Sequence, residues 1–188
     1  NVKKQKKSTQ ENLVKELIEL PKTLLQVLTQ SSKIELMAKK YCSFKHMFFV
    51  GRRYMYPTCL EAALKLKEIS YIDANGYPAG EMKHGPIALI NPMHATVGLC
   101  GDMHTFDKMI SNLREIKARN GRILLFCPQY SDEVHSLSDD IIWMPKTSDI
   151  ISTITYSVAC QLFAYYTAKN CGTNIDQPRN LAKSVTVE

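Results

Sequence analysis

Asn120-Gly121-Arg122-Ile123-Leu124-Leu125-Phe126-Cys127 is the stretch that decides the fold of this chain. A turn dipeptide leads into an unbroken apolar run, too short for a helix and apolar on both faces of a strand. Three further segments have this character: His46-Met47-Phe48-Phe49-Val50-Gly51, His94-Ala95-Thr96-Val97-Gly98-Leu99-Cys100 and Asp140-Ile141-Ile142-Trp143-Met144. Helical patterns separate them at 56–70, where Pro57 suits a first helical turn, at 104–120 and, after the last strand, at 149–170. Strands buried on both faces and alternating with helices predict a mainly parallel sheet with helices on each side, a three-layer α/β/α sandwich. Ligands in such sheets bind beyond the carboxyl ends of the strands, here the loops after Val50 and Cys100. The strand order stays open.

Before the first strand, Leu13, Leu17, Leu20, Leu24 and Leu28 recur at helical spacing over 10–30, and Pro21 should divide or kink that helix. A second helix is expected from about Lys33 to Cys42. Both look like a connector, because they precede the first strand and need something to pack on.

At 188 residues the chain fits one domain with a helical arm, and an apolar fraction of 45% supports a core. No apolar run reaches the ~20 residues of a membrane span, and the lysine-rich start has no secretory pattern. The six cysteines are scattered, mostly in apolar sequence, and lack zinc-site spacing; buried free thiols and a cytoplasmic setting are expected, without metal or disulfides. The net charge of +6 owes much to the lysines among the first seven residues, a run usually solvated. No basic face with aromatic platforms suggests nucleic acid, whereas a sugar phosphate would suit the remaining charge.

Chemistry concentrates in three places. On the helix Leu60-Glu61-Ala62-Ala63-Leu64-Lys65-Leu66-Lys67-Glu68-Ile69, the groups Glu61, Lys65 and Glu68 fall within an arc of roughly 60°. Helix geometry alone makes this a solvent-facing ladder of ion pairs, but Leu60, Ala63, Leu64, Leu66 and Ile69 around the rest suggest a largely enclosed helix. Second, Ala79-Gly80-Glu81-Met82-Lys83-His84-Gly85-Pro86 sets a histidine between glycines and a proline, fit either for general acid–base work or for capping a turn. Third, the end of the chain after Cys171-Gly172 carries Lys183 between Ala182 and Ser184. Such a tail usually frays; alternatively it folds back over a site and delivers an amine. A lysine amine, carboxylates and a histidine together suit aldose–ketose chemistry: a Schiff base acidifies the neighbouring C–H bonds and a carboxylate moves the proton, with no metal or cofactor required. No P-loop and no GxSxG motif is present.

The helix 60–71, the segment Gly80–Pro86 and the tail Asp176–Glu188 closely resemble the C-terminal end of the glutamine–fructose-6-phosphate aminotransferase (isomerizing) family, the glucosamine-6-phosphate synthases. The resemblance runs over essentially the whole chain, is most specific in the tail, and Asp176-Gln177-Pro178 looks bacterial rather than animal. It implies a sugar-isomerase (SIS) fold of flavodoxin-like or Rossmann-like kind. It also implies a division into connector helices (1–44), a second SIS domain (45–172) and a tail closing the site (173–188). The family makes glucosamine 6-phosphate and glutamate from fructose 6-phosphate and glutamine, channelling ammonia from a glutaminase domain to two SIS domains. By this resemblance Lys183 forms the Schiff base, Glu68 shuttles the proton between C1 and C2, and Lys65 transfers a proton or orients. His84 assists ring opening across a homodimer; Glu61 orients the histidine or a lysine, and Ala182 approaches the sugar.

The chain departs from the family pattern in two respects. It lacks the glutaminase cysteine, and it is too short for both SIS domains. After its first strand it has Gly51-Arg52-Arg53-Tyr54 rather than the Ser/Thr-rich loop that grips the sugar phosphate, which the family places in the first SIS domain. The implied partners are therefore fructose 6-phosphate and the missing glutaminase and first SIS domains, not nucleic acid or a membrane. A non-catalytic SIS module that senses a sugar phosphate is the alternative, and a purely structural dimerisation domain a third. In the parent polypeptide Lys183→Ala should separate the first two: turnover disappears while calorimetry still detects sugar-phosphate binding if the domain is catalytic, whereas a sensor is scarcely affected.

Overall fold

A computed structural model describes residues 2–180, with side chains from residue 10 onward. Helices α1 (Val2–Leu28) and α2 (Ser31–Tyr41) lead into β1 (His46–Gly51), α3 (Met55–Ser70) and β2 (Asp73–Pro78). Two 3₁₀ turns, Ala79–His84 and Pro86–Leu89, precede β3 (His94–Leu99). A third, Met103–Thr105, opens α4 (Phe106–Lys117), followed by β4 (Arg122–Cys127), α5 (Asp132–Leu137), β5 (Asp140–Trp143) and α6 (Asp149–Cys171). The five strands are all parallel in the order β2-β1-β3-β4-β5, the flavodoxin-like arrangement with its switch point between β1 and β3.

The expected three layers are present, and strand alternation builds them. Met47, Phe49, Val97, Leu124, Phe126 and Ile142 point to the face covered by α2, α3 and α6. Phe48, Val50, Ile123, Leu125, Cys127 and Ile141 point to the face covered by α4 and α5. Phe126 meets Phe163 of α6 edge to face, centroids 6.2 Å apart, the favoured geometry for aromatic quadrupoles. Four cysteines (59, 100, 127 and 160) are buried, Cys42 is half-buried and Cys171 exposed. Burial raises the Cys160 thiol to about 12, so it is an inert core residue.

Three expectations need correction. α1 runs unbroken through Pro21 and starts earlier than the leucine pattern suggested. Pro21 and Leu17, whose carbonyl loses its partner, are both exposed, so water can satisfy that oxygen. Secondly, β2 and α5 went unrecognised. Asp73-Ala74-Asn75-Gly76-Tyr77-Pro78 has the composition of a turn, yet it pairs with β1 along its length; as an edge strand it tolerates a proline. α5 is short and starts at Ser131, whose side chain accepts a hydrogen bond from the Val134 N–H, an ordinary N-cap. Thirdly, α3 is less enclosed than expected: Leu60 and Leu64 are each 45% exposed. The sheet ends at β2, so among the described residues nothing covers that flank of the helix.

Residues 1–44 are not a detached arm. Val27 of α1 and Ile34, Met37, Ala38 and Tyr41 of α2 belong to the core cluster. Glu16 on α1 accepts hydrogen bonds from the backbone and hydroxyl of Ser148 at the start of α6, where a carboxylate is also favoured by the helix dipole.

Gly76 shows how closely β2 crosses α3: a Cβ there would lie 2.9 Å from backbone atoms of Cys59 and Leu60. Gly76→Ala should push the edge strand off the helix, cost about 1–3 kcal/mol and lower the Tm by several degrees. Thermal denaturation that matches the wild type would contradict this packing.

Candidate active site

The chemistry-bearing stripe lies on α3. Its inner face, Met55, Cys59, Ala62, Ala63, Leu66 and Ser70, is buried, which orients the remaining circumference. Lys65 Nζ stands 2.9 Å from Glu68 Oε2 and 3.9 Å from Glu61 Oε1, so the three groups that helix geometry put on one arc do meet. Their side chains are 29–43% exposed, neither a fully solvated ladder nor a buried site. The hydrogen bond that Lys65 donates to Glu68, with the charges of Glu68 and Glu61, raises the Lys65 pKa against a smaller opposing effect of burial. Lys65 is therefore an ammonium at neutral pH, suited to orient a carboxylate or hold charge rather than to act as a base.

Next to this stripe, Leu60 and Leu64 overhang a groove of about 340 Å³ whose far wall is β2, with Asn75 and Tyr77. β2 continues directly into the turn that carries His84. The His84 Nδ1 lies 2.7 Å from Glu81 Oε2, and both side chains are well exposed, 73% and 61%. Glu81 thus holds the ring, a role the sequence left unassigned although the spacing is i,i+3. Gly85 follows with φ of 147°, a conformation open in practice only to glycine, and it re-aims the chain after the histidine. Among the described residues no hydrogen bond or ion pair links His84 to Glu61, Lys65 or Glu68.

The carboxyl end of the sheet is organised differently. Arg52 donates to Asn112 Oδ1 at 2.8 Å. Arg53, held at φ of 45°, reaches Asp102 at 3.3 Å and Asp149 at 3.5 Å. Asp102 in turn accepts from the backbone and hydroxyl of Thr105, and Asp149 from the Met103 N–H. At the switch point Arg53 is thus paired with the chain's own carboxylates and Arg52 with an amide oxygen.

After α6, Gly172 takes a left-handed conformation at the helix end, as the sequence suggested. The chain then returns to α3. The Thr173 hydroxyl donates to the Ile69 carbonyl at 2.6 Å, and the Arg179 N–H donates to the Tyr71 hydroxyl at 2.8 Å. Lys183 and Ala182 lie outside the described residues. Among the described residues no group of three or more His, Cys, Asp or Glu side chains could hold a metal ion, and no helix is long and apolar enough to cross a membrane.

The all-parallel sheet and its strand order define a doubly wound, flavodoxin-like class of α/β domain. The family profile described as the SIS domain matches residues 40–169, and the chain belongs to that family. Within it, the chain is similar to glutamine–fructose-6-phosphate aminotransferase (isomerizing). It is 45% identical to that of Chlamydia caviae over 93% of its length, and 44% identical to that of Aquifex aeolicus over 95%. It spans only 28% and 30% of those two proteins. Among solved structures, the C-terminal domain of glucosamine-fructose-6-phosphate aminotransferase from Francisella tularensis superimposes with a TM-score of 0.79. The identity is 32%, over 87% of this chain and 46% of that one.

The Lys65–Glu68 contact makes a pH-dependent prediction. Because the folded-state pKa of Lys65 is raised, its contribution to stability is complete below the ordinary lysine pKa and is lost as pH climbs through the raised value. Glu68→Gln should therefore lower stability slightly and evenly around neutrality. Above neutrality the difference from wild type should persist until strong alkali and shrink there. Denaturation curves across that range check it, and a difference that disappears near neutral pH would contradict it.

Proposed function

We propose that this chain is the isomerase part of a glutamine–fructose-6-phosphate aminotransferase, converting fructose 6-phosphate and glutamine-derived ammonia to glucosamine 6-phosphate. The observation that carries the reading is the pinned Lys65–Glu68 pair on the rim of α3, in a chain whose relatives bear that enzyme's name. In the proposed sequence the Lys183 amine adds to the C2 carbonyl of the opened ketose with loss of water, and ammonia displaces the lysine. Glu68 then takes a proton from C1 and returns it to C2, giving the 2-amino aldose. Lys65 aims the Glu68 carboxylate; as a neighbouring cation it also favours the free-amine form of Lys183, which attack requires. Glu61, near Lys65, helps to orient that lysine.

His84, exposed and supported by Glu81, is assigned to ring opening, and its outward aim suits delivery to the site of a second copy in a homodimer. Residues 1–44, 45–172 and 173–188 act as connector, second SIS domain and closing tail, with Ala182 approaching the sugar. The pairing of Arg53 with Asp102 and Asp149 beyond Gly51 is in keeping with a phosphate grip that belongs to a preceding SIS domain, with the glutaminase elsewhere in the same polypeptide.

Residues 1–188 alone should then make no glucosamine 6-phosphate from fructose 6-phosphate, even with ammonia in excess. Product detected by chromatography above a blank would contradict the assignment of the phosphate grip.

A further inference from the structure

We propose that Cys42 and Cys171 are a redox pair, which a low-molecular-weight disulfide oxidises to a covalent staple between the ends of α2 and α6.

Helices α2 and α6 run side by side in the same direction, and a ladder of contacts marks their course. The Ser31 and Tyr166 hydroxyls are 2.7 Å apart, and Lys169 Nζ donates to Glu35 Oε1 at 3.1 Å. At the last rung the Cys171 Sγ lies 3.8 Å from the Cys42 carbonyl oxygen. Both cysteines stand where their helices stop: Cys42 caps α2, and Cys171 is the final residue of α6. They are 129 positions apart in sequence, so the packing of α2 on α6 is what brings them together. The Cys42 thiol donates to the Lys39 carbonyl at 3.1 Å, and closure requires it to leave that bond for another staggered rotamer. Helix ends fray, so the approach to disulfide spacing disturbs the body of neither helix.

Access separates this pair from a second one. Cys100 and Cys127 are also neighbours: the Cys100 N–H donates to the Phe126 carbonyl at 3.0 Å, which extends the register of β3 and β4, and both belong to the core cluster on the α4 face. Each is at most 1% exposed, and buried structural thiols are inert. Cys171 is exposed and Cys42 half-buried, so an oxidant can reach them. Partial burial, and then the neighbouring Cys42, raise the pKa of the Cys171 thiol, with Lys45 opposing them. The thiolate is the attacking species, so closure should accelerate as pH rises through the ordinary thiol range and beyond it.

With glutathione disulfide as the oxidant the chemistry balances. The Cys171 thiolate attacks one of its sulfurs and expels a glutathione thiolate, leaving a mixed disulfide. The Cys42 thiolate then attacks Cys171 Sγ and expels the second glutathione. The two protons of the protein thiols end on the two glutathiones, and two electrons pass from the protein to the oxidant. A reducing thiol pool runs the same steps backwards and reopens the pair.

The test incubates the full-length polypeptide that carries this domain with glutathione disulfide at mildly alkaline pH. Remaining thiols are then alkylated, and the protein is digested with trypsin without reduction and mapped by mass. Trypsin places the two cysteines in separate peptides, residues 41–45 and 170–179. The expected product is one species that joins these peptides and is lost after dithiothreitol. Cys42→Ser should stop at Cys171 carrying one glutathione, and Cys171→Ser should yield no joined peptide. The wild-type map decides by itself, so a variant that folds poorly leaves the test intact. Wild-type protein whose Cys171 stays a mixed disulfide, or is recovered fully alkylated, would overturn the proposal. A bond joining Cys100 to Cys127 in its place would do the same.

Discussion

Strand β1 ends in Gly51, and α3 begins four residues later, so close that a Cβ on Gly51 would lie 2.7 Å from Met55 Cβ and 2.8 Å from Cys59 Sγ. Gly101, after β3, is as tightly covered by Met55 and Tyr156. This contact seats α3 in the sheet face between the ends of two neighbouring strands, with α6 on its other side. Once the inner face is committed to Met55, Cys59, Ala62 and Leu66, the rotation of the helix is fixed and Glu61, Lys65 and Glu68 must face outward. The position of the acid–base groups is therefore a packing result. A parallel sheet, which must be covered on both faces, supplies the surface that α3 packs on.

The electrostatics follow from that placement. At the rim of the helix the stripe is dry enough for Glu68 to raise the Lys65 pKa and wet enough for neither carboxylate to be trapped without solvent. At the carboxyl end of the sheet, where an isolated α/β domain would ordinarily bind its ligand, Arg53 is engaged by Asp102 and Asp149.

The strands β1, β3, β4 and β5 could be read from sequence because their apolar residues serve both faces. β2 could not: its glycine is required by a close crossing over Cys59 and Leu60, a contact distant in sequence, and its Asp, Asn and Pro mimic a turn. Strand order is set by the same kind of long-range contact. The 3.6-residue period was enough to gather Glu61, Lys65 and Glu68, but it misjudged Leu60 and Leu64, since no local pattern reveals where a sheet ends. The support of His84 by Glu81 was legible as a spacing without a direction. The meeting of Tyr71 and Arg179 was not legible, because each looks ordinary in its own neighbourhood.

In the proposed reaction the amine of Lys183 and the stripe on α3 act on one ketose phosphate. Borohydride reduction of the full-length polypeptide in the presence of fructose 6-phosphate, followed by peptide mass mapping, tests this. One reduced sugar-phosphate adduct is expected, carried on Lys183 and absent when substrate is omitted. An adduct on Lys65 or another lysine, or none at all from protein that still turns over, would contradict it.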